Sequence, residues 1–204
     1  GDERTIDYDI VVLAPGSRSR VLPVPGLAEQ GIGFKTVQEA IYLRNHVLAQ
    51  LDAAASSEED AGRRRAALTF VFVGGGYAGV EALGELEDLA RDAIGSYRDL
   101  DASEMRWMLV DAADRILPEL PDELASYAQE LLQQRRIEIK LRTRLDSAEG
   151  RVIRLSDGEV FPAETLVWTA GVKPSPLARE SALPVDEQGR LVDLFGKRAM
   201  CGLD

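Results

Sequence analysis

The stretch "LTFVFVGGGYAGVEALGELEDLA", residues 68–90, sets a run of Phe and Val directly against three consecutive glycines, then continues into a long acidic and leucine-rich segment. Glycine loses more conformational freedom on folding than any other residue, so three together mark a backbone that must turn tightly or be approached closely. Phe70–Val73 reads as a strand buried on both faces, and Val80 to about Ile94 as a helix. A strand that passes through a glycine turn into a helix is the first half of a crossover between parallel strands.

The remainder of the chain repeats that alternation. Ile10–Leu13, ended by Pro15-Gly16, predicts another buried strand. Thr36 followed by Glu39 is a capping box that opens a helix, with Val37, Ile41, Val47, Leu48 and Leu51 as its inward stripe. Residues 56–65, "SSEEDAGRRR", read as a charged linker. "RWMLVD", 106–111, is a third strand, and Asp122 can cap the helix that follows Pro121. "IEIKLRT" alternates with period two, and "RVIRLSDGEVFPA" reads as two strands around an Asp157-Gly158 turn. "TLVWTAGVKPSP" gives a last buried strand that runs into a glycine turn. The expected fold class is α/β: a Rossmann-like parallel sheet flanked by helices, with an antiparallel hairpin or meander added.

Gly74, Gly76 and Gly79 match G-x-G-x-x-G, and Gly75 adds a fourth glycine. The motif is weak alone and informative between a strand and a helix. Gly74 permits the turn off the strand, Gly76 leaves bare backbone for a pyrophosphate, and Gly79 lets helix and strand pack closely. The freed N–H groups and the helix dipole favour an anion there. The candidate cofactor-binding set is therefore Gly74, Gly75, Gly76, Tyr77, Ala78 and Gly79, with Asp111 at the end of the next strand to accept ribose hydroxyls. Asp111 favours NAD(H), because a 2′-phosphate would meet its charge, while Arg115 four residues on leaves room for NADP(H). The competing reading, a mere tight turn with Asp111 as a helix cap, does not account for strand, glycines, helix, strand and acid in that order.

A formal net charge of −11 over 204 residues argues against a nucleic-acid partner, which needs a basic face. One cysteine, Cys201, and one histidine, His46, leave no disulfide, no CxxC pair and no His/Cys metal cluster, so no metal is expected. The cysteine usage suits a reducing compartment, and a cytoplasmic location is expected. No apolar run reaches membrane-span length. The opening without Met and the ending "VDLFGKRAMCGLD" suggest a piece of a longer polypeptide.

Taken together, "FVGGGYAGVEALGELEDLA", "LVDAADRILPEL", "YDIVVLAPGS" and "TLVWTAGVKPSPLA" resemble the flavoprotein oxidoreductases with two dinucleotide domains, the pyridine nucleotide-disulfide oxidoreductase superfamily, and within it the type II NADH dehydrogenases. The resemblance implies a split FAD domain with the NADH domain inserted in it: residues 1–34 and 165–204 as FAD-domain remnants, 35–164 as the NAD(H)-binding domain. It implies hydride transfer from NADH to FAD and then to a quinone, with FAD held by the intact protein and not retained by this piece. Rubredoxin, ferredoxin or nitrite reductases of the same fold stay open as alternatives, as does a non-catalytic NADH-sensing module. By the same resemblance Glu81 positions nicotinamide and flavin, though as a first-turn carboxylate it also suits the helix dipole. Ala170 and Gly171 of "WTAGV" lie near the cofactors, and Tyr77 either covers the cofactor or packs on the sheet. No catalytic acid, base or nucleophile is assignable. Peripheral association of the full-length protein with the inner face of the cell membrane, and a homodimer, stay open. Pro15 where Thr is commoner, Asp111 where Glu is commoner, the missing first glycine fingerprint, and only a ragged Gly202-Leu203-Asp204 for the family's late Gly-Asp depart from the pattern.

Overall fold

The structure, a computed structural model, describes residues 7–10, 12–20, 22–57, 60–181 and 183–192. In chain order its elements begin with β1 (Ser17–Ser19), α1 (Leu27–Gln30), β2 (Gly31–Gly33), α2 (Val37–Ala55) and α3 (Ala61–Ala67). They continue with β3 (Thr69–Val73), α4 (Tyr77–Ile94), β4 (Arg106–Val110), α5 (Asp122–Gln134) and β5 (Glu138–Lys140). The last are β6 (Leu145–Ser147), β7 (Val152–Leu155), β8 (Val160–Pro162), β9 (Thr165–Trp168), β10 (Val172–Pro174) and α6 (Pro176–Glu180).

Five strands form one parallel sheet in the order β2-β9-β3-β4-β5. Strand alternation divides its side chains between two faces. Phe70, Phe72, Trp107, Leu109 and Val167 join Leu43, Val47, Leu51, Leu83, Leu86 and Leu132 from α2, α4 and α5. Val71, Val73, Met108, Val110, Leu166 and Trp168 pack instead with Leu145, Ile153 and Leu155. Those last residues belong to the antiparallel sheet β6-β7-β8, the expected meander, which covers the second face. Because both faces are covered, the central strands are continuous apolar runs, as parallel strands require. Phe70 stacks on Trp107 with ring centroids 4.2 Å apart, fixing the β3–β4 register in which the two residues are paired.

Residues 19–172 form one compact unit that contains the whole five-stranded sheet. The described residues of 7–18 and 173–192 belong to a second unit, which holds α6 and a bridge between Val185 and Leu191. The two units divide at 18/19 and 172/173, and β2 and β9 are hydrogen-bonded members of the central sheet.

Four expectations change. Of the expected strand Ile10–Leu13, Val11 lies outside the described residues, and the others are not buried: Ile10 is 86% and Val12 84% exposed, and no described strand pairs with them. The inward face of α2 is Leu43, Val47, Leu51 and Ala54, while Val37 and Ile41 face solvent. Within the charged 56–65 stretch the chain forms α3, because Asp60 accepts hydrogen bonds from the Gly62 and Arg63 amides and caps it. Asp122 is the first residue of α5, not its cap, which is Pro121. The Thr36–Glu39 capping box forms as expected. Cys201 and Gly202-Leu203-Asp204 lie outside the described residues.

Candidate functional site

From β3 the chain moves outward to β4 and β5, then returns to lay β9 against the other edge of β3. In open parallel sheets such a reversal leaves a crevice at the carboxyl ends of the strands, where ligands bind. The glycine turn occupies that position. Gly74 has φ +121°, and a side-chain carbon there would stand 2.5 Å from Thr169 Oγ1 and 2.8 Å from the Ala170 amide nitrogen. Only glycine satisfies both the dihedral and the contact. At Gly79, within the first turn of α4, the same carbon would meet the Gly74 carbonyl oxygen at 1.8 Å. Helix and strand are thus packed main chain on main chain.

Gly76 differs in kind. Its backbone, at φ −76° and ψ −177°, is extended and open to any residue, and no heavy atom lies within 4 Å of where a side-chain carbon would sit. It is the N-cap of α4 without a side chain to cap the helix. The first turn of a long helix is thus left without a side-chain cap beside a position free of side chains, an arrangement that suits an anion.

Asp111 lies beside this turn. Its Oδ2 accepts a hydrogen bond from the Gly75 amide and its Oδ1 one from the Ala113 amide at 2.7 Å. Two lone-pair positions remain for other donors. The following loop is knitted to the glycines, since the Leu117 amide donates to the Gly75 carbonyl at 2.7 Å. Leu117 holds φ +47°, an unusual conformation for a branched side chain, stabilised by burial. Arg115 is occupied: it pairs with Asp122 and donates to the Pro118 and Leu120 carbonyls, the latter at 3.2 Å.

The other candidates are spread around the turn. Ala170 contacts Gly74 through its backbone, and Gly171, at φ +81°, accepts a 3.1 Å hydrogen bond from the Arg20 amide. Tyr77 packs partly against the apolar cluster on the helical face of the sheet, and Ala78 is exposed. Because α4 begins at Tyr77, Glu81 is its fifth residue and not in its first turn, where the dipole acts. Its carboxylate is exposed and has no partner among the described residues. Thr169 escaped the sequence reading. Its hydroxyl lies 3.1 Å from the Val73 carbonyl and 3.2 Å from that of Gly74, and it pins the turn to β9.

A cavity of about 450 Å3 lies along edge strand β2, lined by Glu29, Tyr42, His46, Arg151 and Glu164. His46 shares a 3.0 Å hydrogen bond with the buried Thr165 hydroxyl, and burial, assisted by the Arg151 charge, pushes its pKa below 6.5. Among the described residues no group of His, Cys, Asp and Glu is placed to hold a metal ion, and no helix is long and apolar enough to cross a membrane.

Residues 1–199 match the family model of the pyridine nucleotide-disulphide oxidoreductases. The chain belongs to that family. It is 34% identical over 195 residues to the type II NADH:quinone oxidoreductase NdhA of Mycobacterium tuberculosis, covering 91% of this chain and 41% of the relative. To the type II NADH:quinone oxidoreductase of Staphylococcus haemolyticus it is 33% identical over 190 residues, covering 91% and 46%. A solved structure of NDH2 from Plasmodium falciparum in complex with NADH superposes with a TM-score of 0.73 at 16% identity, over 83% of this chain and 36% of that one. The chain thus spans less than half the length of these relatives.

Proposed function

We propose that this chain is the NADH-binding portion of a longer FAD-dependent NADH:quinone oxidoreductase. The observation that carries the reading is the open side of Gly76, set between two glycines that the fold cannot replace and beneath the uncapped start of α4. Bare backbone N–H groups and the positive end of a helix fit a diphosphate. The Asp111 carboxylate, held by two amides, fits ribose hydroxyls with its remaining lone pairs. The named relatives, type II NADH:quinone oxidoreductases, support the same coenzyme and suggest the quinone acceptor.

The chain's own residues have a positioning task. Gly74, Gly75, Gly76, Tyr77, Ala78 and Gly79 would hold the diphosphate, and Asp111 the ribose. Ala170 and Gly171 border the crevice beside Gly74 on the β9 side. Glu81, one turn further along α4 with a free carboxylate, is proposed to orient the nicotinamide end. When both cofactors are bound, hydride passes from nicotinamide to flavin, chemistry that the cofactors supply. The outer segments, up to residue 18 and from 173, are proposed to belong to the FAD-binding domain, completed by chain beyond this sequence.

The test is binding by the purified chain. NADH fluorescence should change saturably on titration, while the preparation stays colourless with no flavin absorbance. No response to NADH at millimolar concentration would refute the coenzyme site, and a yellow preparation with stoichiometric FAD would refute the division of the cofactors.

A further inference from the structure

We propose that Asp122 withholds Arg115 from the adenosine end of the coenzyme site, and that this restraint helps the site prefer NADH over NADPH; the proposal rests on the glycine turn being a pyridine-nucleotide site. Residues 111–122, "DAADRILPELPD", contain four carboxylates and a single cation, Arg115. This loop lies against the glycine turn through the Gly75–Asp111 and Leu117–Gly75 hydrogen bonds, and Ile116 Cγ2 comes within 3.2 Å of the Gly75 side-chain position.

A 2′-phosphate adds up to two negative charges where Asp111 already supplies one. Such a ligand needs a guanidinium, whose planar fork matches phosphate oxygens. Arg115 stands four residues beyond Asp111, yet both of its terminal nitrogens are engaged: Nη1 with the Asp122 carboxylate, Nη2 with the Pro118 and Leu120 carbonyls. A phosphate would have to displace an existing anion. The Asp122 side chain is 92% exposed, so it can be removed without opening the core. The two carbonyls would still keep Arg115 at the loop.

Two other cations lie nearby at the end of β5. Lys140 is committed to Asp157 at 2.8 Å and Glu159 at 2.6 Å. Arg142 donates its amide to the Ala113 carbonyl at 2.7 Å, and its side chain is exposed without a partner among the described residues. It is the rival receptor, and the experiment separates the two.

Dissociation constants for NADH and NADPH would be measured by fluorescence for the parent chain, Asp122→Ala, Asp122→Ala/Arg115→Ala and Asp122→Ala/Arg142→Ala. The parent is expected to bind NADH more tightly. Asp122→Ala should leave NADH unchanged and tighten NADPH about two- to fivefold, as for a released, largely exposed charge pair. That gain should vanish in the Arg115 double variant and survive in the Arg142 one. Unchanged NADPH affinity in Asp122→Ala, or a gain that survives loss of Arg115, overturns the proposal. If the parent binds neither coenzyme, the glycine-turn reading fails and this one falls with it.

Discussion

Adding one methyl group at two positions of the same turn should cost stability at one and coenzyme binding at the other. In Gly79→Ala the new carbon would stand 1.8 Å from the Gly74 carbonyl oxygen and 2.7 Å from Thr169 Oγ1. Ordinary contact begins near about 3.5 Å, so the start of α4 must withdraw by more than an ångström from β3. Overpacking of a tight interior typically costs about 1–3 kcal/mol, and a backbone obstacle places this case at the upper end. The better helix propensity of Ala returns at most about 1 kcal/mol. A net loss of about 2 kcal/mol corresponds to a Tm lower by roughly 4–8 °C for a unit of this size. Gly76→Ala meets nothing within 4 Å in a backbone that alanine tolerates, and the gain through the unfolded state is offset by alanine being a poorer N-cap than glycine, so Tm should stay nearly unchanged. The methyl would nonetheless occupy the space assigned to the diphosphate, and NADH affinity should fall at least about tenfold, or 1.4 kcal/mol. Thermal unfolding by circular dichroism, with NADH titration of each variant, reads both effects. A Gly79→Ala protein as stable as the parent, or a Gly76→Ala protein that binds NADH normally, would refute the reasoning.

Two further outcomes follow from charges away from the turn. Glu87 on α4 is 1% exposed and is bonded to Arg91 and to Arg135, whose Nε donates to it at 2.8 Å. Arg135→Ala leaves that carboxylate buried with one partner and should cost about 2–3 kcal/mol in urea unfolding, more than Glu87→Met, which removes the buried charge itself. His46 has its folded pKa held below 6.5, so the unfolded chain binds the proton first as pH falls. Its contribution to stability is complete above pH 6.5 and is lost as pH drops from there through the folded pKa. Tm measured between pH 7.5 and 5.5 should therefore decline, and His46→Gln should flatten that part of the profile.

The central strands and the glycine turn were legible because their signals are local: apolar runs of four or five residues, punctuated by glycine and followed by a helical period. The roles of Gly74 and Gly79 could be inferred in kind, but only the structure supplies the contacts, with Thr169 and with the Gly74 carbonyl, that make glycine necessary. The Ile10–Leu13 run misled because apolar composition signals burial without naming a partner, and its described residues Ile10, Val12 and Leu13 are exposed with no described strand beside them. The stripe of α2 was misjudged because helical period alone does not choose between overlapping faces. Contact with the sheet and α4 selects Leu43, Val47 and Leu51 over Val37, which is 72% exposed. For α3 the decisive Asp60 cap sits inside a charged run that also suits a linker. Glu81 moved out of the first turn because the helix begins three residues earlier than the apolar pattern suggested.

The most direct measurement is an amide-resolved NMR titration of the isotopically labelled chain with NADH. The expected result is saturable shifts concentrated at the Gly75, Gly76, Tyr77 and Ala78 amides and at Asp111, with little change at Gly31–Gly33 or His46. Shifts that leave the glycine turn untouched and gather instead along the β2 cavity would contradict the claim that bare main chain at the head of α4 receives the coenzyme's diphosphate.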